Sequence, residues 1–196
     1  MIELNAIAVF CGSSSGNDKA IIEQAEYLGE TLAKNQITVV YGAAKIGIMG
    51  TVAQAALENR GKVIGVIPEF LKLKEVVHLG LTELITTKTM HDRKLLMHEH
   101  SDGFIALPGG FGTFEELFEI ITWAQLGLHQ KPIGLLNSNG FYDHLINMFD
   151  TMIQKGLLKK DNMDLLIIDD KVDSLINNMK SYVPQDIPKW LKAERT

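Results

Sequence analysis

The sequence has a single cysteine, no long apolar run and no excess of positive charge. Cys11 is the only cysteine among 196 residues, so an intrachain disulfide is excluded. Because Cys11 ends the apolar run 6–11, we interpret it as a buried small hydrophobic residue rather than a nucleophile. No apolar run approaches the length of a transmembrane helix, and the N-terminus lacks the basic region of a signal peptide. The sequence therefore predicts a cytoplasmic protein that does not engage a membrane.

The charge balance argues against nucleic acid as a partner. The net charge is −5, and lysines and arginines form no cluster that could follow a phosphate backbone. A small anionic ligand would need a local device, such as a helix N-terminus with one arginine. The hydrophobic fraction of 46% is enough for a substantial core, and the length suits one large domain.

Short apolar runs alternate with longer helical patterns along the chain. The predicted strands are 6–11, 38–41, 63–67, 84–86, 103–107, 133–136 and 165–168. The predicted helices are 18–35, 50–59, 91–100, 113–126, 141–155 and 172–182. Several strands are continuously apolar, which is typical of a parallel sheet covered on both faces. We therefore expect a single α/β domain, doubly wound and Rossmann-like, with a mostly parallel sheet and helices on both faces.

Two segments lie outside this regular pattern. Residues 70–82 are expected to form a loop near the site, because ligands in such folds bind beyond the carboxyl ends of the strands. The tail 184–196 is expected to wrap the surface or fray.

Three predicted strands lead into turns rich in glycine and other small residues. The candidate ligand-binding residues there are Gly12, Ser13 and Ser14 in the first turn, Gly42, Gly47 and Gly50 in the second, and Pro108, Gly109, Gly110, Phe111, Gly112 and Thr113 in the third. Glycine lets backbone N–H groups approach a ligand closely, and a helix N-terminus favours an anion. Any one turn could be an ordinary tight connection, but three at one sheet edge indicate a phosphorylated ligand.

Two common nucleotide sites do not fit these turns. A dinucleotide fold needs G-x-G-x-x-G after the first strand and an acidic residue ending the second. The first turn has only Gly12 and Gly16, and the second strand ends in Tyr41-Gly42. A P-loop needs Gly-Lys-Ser/Thr, whereas Gly112-Thr113 has no such lysine.

The helix after the third turn carries two adjacent glutamates with different expected roles. At about 100° per residue, Leu117, Ile120, Ile121 and Ala124 face the sheet. Glu115 and Glu119 then point toward solvent or a partner, while Glu116 lies on the flank near the loop and can line a pocket. Thr113 and Glu116 also fit a T-x-x-E capping box, which would give Glu116 a purely structural role. The sequence leaves these two hypotheses open.

The same helix has a second apolar stripe. Phe114 and Phe118 lie away from the sheet-facing side, and a helix that is apolar on more than one side is buried on more than one side. This pattern favours a homodimer.

The segment Met90-His91-Asp92-Arg93-Lys94 opens the helix before the fifth strand. Arg93 taken alone is typical of a solvated surface residue. His98 and His100 cannot chelate one ion, because residues i and i+2 of a helix point to different sides. We expect no catalytic metal, since no H-E-x-x-H pattern or cysteine ligand set is present.

Taken together, these motifs resemble a known family. Residues 90–94, followed by 108–116, are similar to the paired signature of the LOG family, the cytokinin riboside 5′-monophosphate phosphoribohydrolases, also labelled lysine decarboxylase-like. Residues 11–14, 66–68 and 121–127 are similar as well. The resemblance extends to about residue 156.

The resemblance implies a Rossmann-like dimer without a cofactor that releases a free base and ribose 5-phosphate from a nucleoside 5′-monophosphate. It implies catalytic roles for Arg93 and Glu116. Further contacts with the substrate are implied for Lys94, Glu75, Thr122 and the segment from Gly110 through Glu115 to Glu116. One departure is that Ala43 and Ala44 stand where the family usually has glycines.

This chemistry suits the two implied catalytic residues. Cleavage of a ribosyl–base bond passes through an oxocarbenium-like state, which a carboxylate at Glu116 can stabilise while it positions or deprotonates water. Arg93 holds its proton too tightly to be an acid, but it can grip phosphate or ribose, or stabilise the departing base. A pyridoxal-dependent decarboxylase and a non-catalytic nucleotide sensor remain alternatives, and the base is not specified.

Overall fold

The computed structural model describes residues 2–72 and 76–184. A seven-stranded parallel sheet lies at its centre, in the order β4-β3-β2-β1-β5-β6-β7. The strands are β1 (Ala6–Phe10), β2 (Thr38–Tyr41), β3 (Val63–Pro68), β4 (Glu83–Thr87), β5 (Gly103–Ala106), β6 (Ile133–Leu136) and β7 (Leu166–Asp169). The chain runs outward from β1 to β4 and then crosses back to β5, which pairs with β1. The crevice between β1 and β5 is therefore a topological switch point, where open α/β sheets bind ligands.

Helices cover both faces of the sheet. They are α1 (Lys19–Lys34), α2 (Gly47–Glu58), α3 (Glu69–Lys72), α4 (Met90–Glu99), α5 (Phe111–Gln125), α6 (Asp143–Gln154) and α7 (Val172–Lys180), with short 3-10 helices at Ser138–Gly140 and Lys160–Leu165. Residues of α1, α2 and α7 share one hydrophobic core, and residues of α4, α5 and α6 share the other. Within the described ranges, no helix has both the length and the apolar character that crossing a bilayer requires.

Strand β1 explains why the strands read as continuous apolar runs. Ile7 and Val9 belong to the core beneath α1, whereas Ala8 and Phe10 belong to the core beneath α5. Successive side chains of a strand point to opposite faces, and both faces are covered here. Every residue of the strand must then be apolar, as the parallel-sheet prediction assumed.

The predicted fold class is confirmed, and each predicted strand and helix is present with ends shifted by only a few residues. The expected loop 70–82 is partly wrong, because residues 70–72 belong to the short helix α3. Farther along this segment, Val77 forms an antiparallel bridge to Ala44 in the second turn. Residues 73–75, and the tail beyond residue 184, lie outside the described residues.

Candidate active site

Helix α5 begins earlier than the sequence pattern indicated. Its first residue is Phe111, and its N-cap is Gly110, which offers no side-chain hydrogen bond. Thr113 therefore lies inside the first turn and cannot be the N-cap of a box that ends at Glu116. The capping-box hypothesis for these two residues is wrong, so Glu116 is free of that structural role.

A capping box does occur, but at the start of α4. The Thr89 hydroxyl accepts from the Asp92 backbone N–H at 3.1 Å, and the Asp92 carboxylate accepts from the Thr89 N–H at 3.1 Å. Asp92 thus starts the helix that carries Arg93 in its first turns. The T-x-x-D spacing at residues 89–92 could have identified this cap from the sequence.

Two glycines at the start of α5 have no packing reason to be glycine. A methyl group added at Gly110 or Gly112 would meet no atom within 4 Å, and neither residue has a positive φ. Between them, Phe111 is 97% exposed. By contrast, a methyl group at Gly109 would lie 2.0 Å from Thr113 Oγ1. The open backbone of Gly110 and Gly112, next to the unpaired N–H groups of a helix N-terminus, suits the close approach of a ligand.

Arg93 is buried rather than solvated. Its residue exposure is only 6%, and Nη1 donates to Met90 Sδ at 3.5 Å. The guanidinium packs against the second turn, since a methyl group at Gly42 would lie 2.0 Å from Nη2. Its Nε is buried and has no hydrogen-bond partner among the described residues. Leaving an arginine N–H unpaired is costly, so the arrangement favours an anionic ligand at this point.

Glu116 is also buried, with 9% of its surface exposed. Burial raises the pKa of its carboxyl to about 7, against the opposing effect of the Arg93 charge. A carboxyl with a pKa near neutrality is suited to proton transfer at physiological pH. A buried carboxyl whose pKa is also influenced by an arginine is characteristic of functional sites.

Cys11 lies beside this carboxyl without acting as a nucleophile. The residue is buried, and burial, with a smaller contribution from Glu116, raises the pKa of its thiol. A thiol held in its protonated form is a poor nucleophile. The interpretation of Cys11 as a small core residue is confirmed.

Lys94 joins α4 to α5. Its Nζ lies 2.6 Å from Glu115 Oε1 and 2.9 Å from Glu119 Oε1. The expectation that Glu115 and Glu119 point toward solvent or a partner is therefore incomplete, because both carboxylates also bind an ammonium of the same chain.

The first turn meets the third turn at the switch point. The Gly12 N–H donates to Pro108 O at 3.2 Å. Ser13 and Ser14 line a cleft of about 450 Å³ together with Gly109 and Gly110. The structure thus brings the predicted residues of these two turns together at one edge of the sheet.

The second turn mainly makes contacts with other parts of the protein. The N–H groups of Ile48 and Met49, at the start of α2, donate to the carbonyls of Ser14 and Gly12. Gly47 approaches the Ser13 backbone, and Gly50 approaches the Lys45 backbone, too closely for any side chain. Packing therefore accounts for Gly47 and Gly50, and their predicted contact with a ligand stays a prediction.

Ala43 and Ala44 are both buried. Ala43 has a φ of 66°, a conformation that favours glycine. Its methyl group lies against strand β3, where a methyl group added at Gly65 would come within 2.8 Å of it. The methyl group of Ala43 is thus accommodated in the core by a glycine on the neighbouring strand.

The predicted substrate contacts of Thr122 and Glu75 stay predictions. Thr122 is exposed, and its hydroxyl donates to Phe118 O in its own helix. Glu75 lies outside the described residues.

The sequence reasoning missed Tyr142. This fully buried residue donates its hydroxyl to Leu107 O at 2.6 Å, which anchors the chain just before the third turn. The two residues are far apart in the sequence, and no local pattern indicates the contact.

The second apolar stripe of α5 is partly covered by the same chain. Phe114 packs against Phe141 and Tyr142, and Phe118 packs edge-on against Phe149 of α6. These contacts give the stripe an internal explanation, so it does not require a partner, and the homodimer stays a prediction.

His98 takes part in ring packing rather than in a ligand set. It stacks on Phe104, meets Trp123 edge-on and lies 5.2 Å from the His129 ring, centroid to centroid. Across residues 2–72 and 76–184, no group of three or more histidine, cysteine, aspartate or glutamate side chains is arranged to hold a metal ion.

Comparison with known proteins identifies the family of this chain. A family model described as "Possible lysine decarboxylase" matches residues 49–179. The cytokinin riboside 5′-monophosphate phosphoribohydrolase LOG2 of Arabidopsis thaliana is 42% identical, over 91% of this chain and 84% of that protein. The probable cytokinin riboside 5′-monophosphate phosphoribohydrolase LOGL9 of Oryza sativa subsp. japonica is 43% identical, over 91% of this chain and 78% of its own length.

Solved structures share the fold at lower identity. The molybdenum cofactor binding protein of Rippkaea orientalis superposes with a TM-score of 0.68 at 22% identity, covering 92% of this chain and 98% of that one. The Moco carrier protein of Chlamydomonas reinhardtii gives the same TM-score at 19% identity, with the same coverage. At this identity the likeness establishes the fold alone. The match of the family model and the 42–43% identity to the phosphoribohydrolases establish the family. The chain belongs to the family of the cytokinin riboside 5′-monophosphate phosphoribohydrolases.

Proposed function

We propose that this protein hydrolyses the N-glycosidic bond of an adenosine 5′-monophosphate, either AMP itself or an N6-substituted form such as a cytokinin riboside 5′-monophosphate. The observation that carries the proposal is the open backbone of Gly110 and Gly112 at the start of α5, on the helix that also carries the buried Glu116. The family membership and the names of the relatives support the same substrate class.

We assign the 5′-phosphate to the N-terminus of α5. The N–H groups of the first helical residues have no partner within the helix, and the helix dipole favours an anion there. Gly110 and Gly112 let phosphate oxygens approach these groups. The first-turn hydroxyls of Ser13 and Ser14 line the same cleft and supply further donors.

We assign the chemical step to Glu116 and Arg93. As the bond between C1′ and the base nitrogen breaks, its electron pair leaves with the base and positive charge builds on the ribose. The Glu116 carboxylate stabilises that charge and takes a proton from water, whose oxygen bonds to C1′. The guanidinium of Arg93 supplies fixed positive charge for the phosphate or for the departing base. The departing base takes up a proton from solvent, and Glu116 returns its proton to solvent, so that the products are the free base and ribose 5-phosphate.

The test is to incubate the protein with AMP, N6-isopentenyl-AMP and adenosine, and to quantify free base and ribose 5-phosphate. We expect the two monophosphates to be cleaved and adenosine to be a far poorer substrate. Equal kcat/KM for AMP and adenosine would contradict the phosphate assignment. Binding without cleavage would favour a nucleotide sensor, which needs neither Arg93 nor Glu116.

The absence of a cofactor is tested with the same assay. We expect turnover to survive EDTA, and the purified protein to lack pyridoxal absorbance. Loss of turnover on chelation that one added metal restores would overturn this part of the proposal. A pyridoxal chromophore would favour the decarboxylase alternative.

We also propose that the protein is a homodimer. The support is two apolar side chains on α4 and α5 that the protein itself leaves uncovered: Phe111 is almost fully exposed and Leu95 is about half exposed. Their burial against a second copy would remove apolar surface from water. Light scattering at micromolar concentration tests the assembly, and a stable monomer would refute it.

A further inference from the structure

The ammonium of Lys94 is engaged by two carboxylates of the neighbouring helix. Lys94 directly follows Arg93 on α4, and its side chain is 9% exposed. The distances from Nζ to Glu115 Oε1 and Glu119 Oε1 are 2.6 Å and 2.9 Å. An ammonium has three N–H donors, and two of them are used here. Little capacity is left for a substrate phosphate.

The acceptors are spaced so that one lysine serves both. Glu115 and Glu119 stand four residues apart on α5, where two like charges destabilise a helix. Lys94 relieves that repulsion and ties α4 to α5. The two residues assigned to the chemical step are adjacent in sequence to this contact. Arg93 precedes Lys94, and Glu116 follows Glu115. The contact therefore joins the two helices at the positions adjacent to the catalytic pair.

We propose that Lys94 is a positioning residue, which together with Glu115 and Glu119 fixes the separation of Arg93 and Glu116 and sets the charge around Glu116. Its effect on catalysis rests on the proposed function, but its effect on the Glu116 carboxyl does not. Lys94 thus acts through α5 rather than through contact with the substrate.

Each member of this group acts on Glu116 in a definite direction. Beyond burial, the charged groups that act on its pKa are Arg93 and Lys94 from α4, which lower it, and Glu115 and Glu119 from α5, which raise it. On the β1 side the neighbour is the protonated thiol of Cys11. Burial would lower the pKa of Lys94 itself, but the hydrogen bonds that its ammonium donates to Glu115 and Glu119, with the charges of these carboxylates, hold that pKa above its usual value.

The experiment measures the Glu116 titration without substrate. Glutamate labelled with ¹³C at the carboxyl is incorporated, and the Glu116 resonance is assigned by its loss in Glu116→Gln. Its titration is then followed by NMR in the full chain. Lys94→Met keeps the apolar stem and removes the charge, while Glu115→Gln and Glu119→Gln remove one carboxylate each. Lys34→Met is the matched control, because Lys34 also binds a glutamate, Glu30, but on α1 against the other face of the sheet.

The proposal predicts shifts of opposite sign. Lys94→Met should move the Glu116 titration to higher pH, Glu115→Gln and Glu119→Gln should move it to lower pH, and Lys34→Met should leave it unchanged. If the enzyme assay is active, the acid limb of kcat should move with the titration, so Lys94→Met loses more activity at about pH 6 than at about pH 8.5. If neither the wild type nor any variant shows turnover, but the titration shifts are observed, the proposed function is refuted and this inference stands.

Two results would overturn the inference. If Lys94→Met raises KM while the Glu116 titration stays fixed, Lys94 binds the substrate directly. If Lys94→Met only lowers the free energy of unfolding, with the titration and the pH profile unchanged, the contact is structural and does not position the site.

Discussion

The guanidinium of Arg93 lies against the α-carbon of Gly42, so closely that an added methyl group would stand 2.0 Å from Nη2. The second turn thus contributes to the site by making room for the arginine. Gly42, which the sequence predicted to contact a ligand, leaves space for the Arg93 side chain.

Gly42→Ala should displace Arg93 and impair turnover. A misplacement of about 1 Å can cost roughly 10²-fold in rate, and we expect a loss of that order in kcat/KM. A double-mutant cycle with Arg93→Ala provides the control. If Gly42→Ala costs as much in the Arg93→Ala background as in the wild type, the glycine does not act through the arginine.

Glu116→Gln separates catalysis from folding. The amide carries no negative charge and takes no proton from water, so kcat should fall at least about 10²-fold, while the fold is retained. Glu115→Gln, which leaves Glu116 in place, should lose much less. Full turnover in Glu116→Gln would show that the catalytic assignment is wrong.

The same variant should change how stability depends on pH. The folded-state pKa of Glu116, about 7, lies above its usual value of 4.5. The folded state therefore binds more protons in that window, and wild-type stability falls as pH rises through 7. Glu116→Gln should be more stable than wild type at about pH 8.5, by at most about 3 kcal/mol, and should lose this advantage below about pH 5. Urea unfolding at both pH values measures the difference, and equal pH dependence in both proteins would contradict the burial argument.

Gly112→Ala tests whether the first turn of α5 is kept bare for a ligand. Alanine is a better helix former than glycine, and the added methyl group meets no protein atom. The free energy of unfolding should therefore rise by roughly 0.5–1 kcal/mol, while KM for AMP increases. A more stable protein with unchanged KM would show that the substrate does not approach this residue.

His98 and His129 should make the protein sensitive to acid. Burial lowers the pKa of each to about 4, with a smaller contribution from Lys131, whereas an unfolded histidine titrates near 6.5. The unfolded state therefore binds more protons between about pH 6.5 and 4, and stability falls as pH falls through that window.

His98→Phe isolates this effect. The His98 Nε2 is buried without a partner in the described part of the chain, so a phenyl ring loses no hydrogen bond there. The variant should unfold less readily than wild type at about pH 5 and show a weaker pH dependence. His129→Phe is the comparison variant. Unlike His98→Phe, it loses a hydrogen bond, the one between His129 Nε2 and Ile120 O. An unchanged pH dependence in His98→Phe would show that the ring is not held neutral by burial.

The fold was predictable because its signals are local. Apolar runs such as 6–11 identify buried parallel strands, and helical spacing identifies the elements between them. The start of α5 was misplaced because a glycine N-cap, Gly110, has no side chain to mark it. The contacts of Arg93 with Gly42 and of Tyr142 with Leu107 depend on packing between distant segments, which spacing cannot reveal. The assigned roles of Arg93 and Glu116, and the cytoplasmic location, stay predictions.

The contact between Ala43 and Gly65 has a consequence for how the family can vary. A methyl group added at Gly65 would lie 2.4 Å from Leu81 Cδ1 and 2.8 Å from the methyl group of Ala43. A side chain on the strand at this position would therefore need smaller residues both in the turn and at position 81. Positions 43, 65 and 81 should covary across relatives as a single unit, although they lie in different parts of the chain.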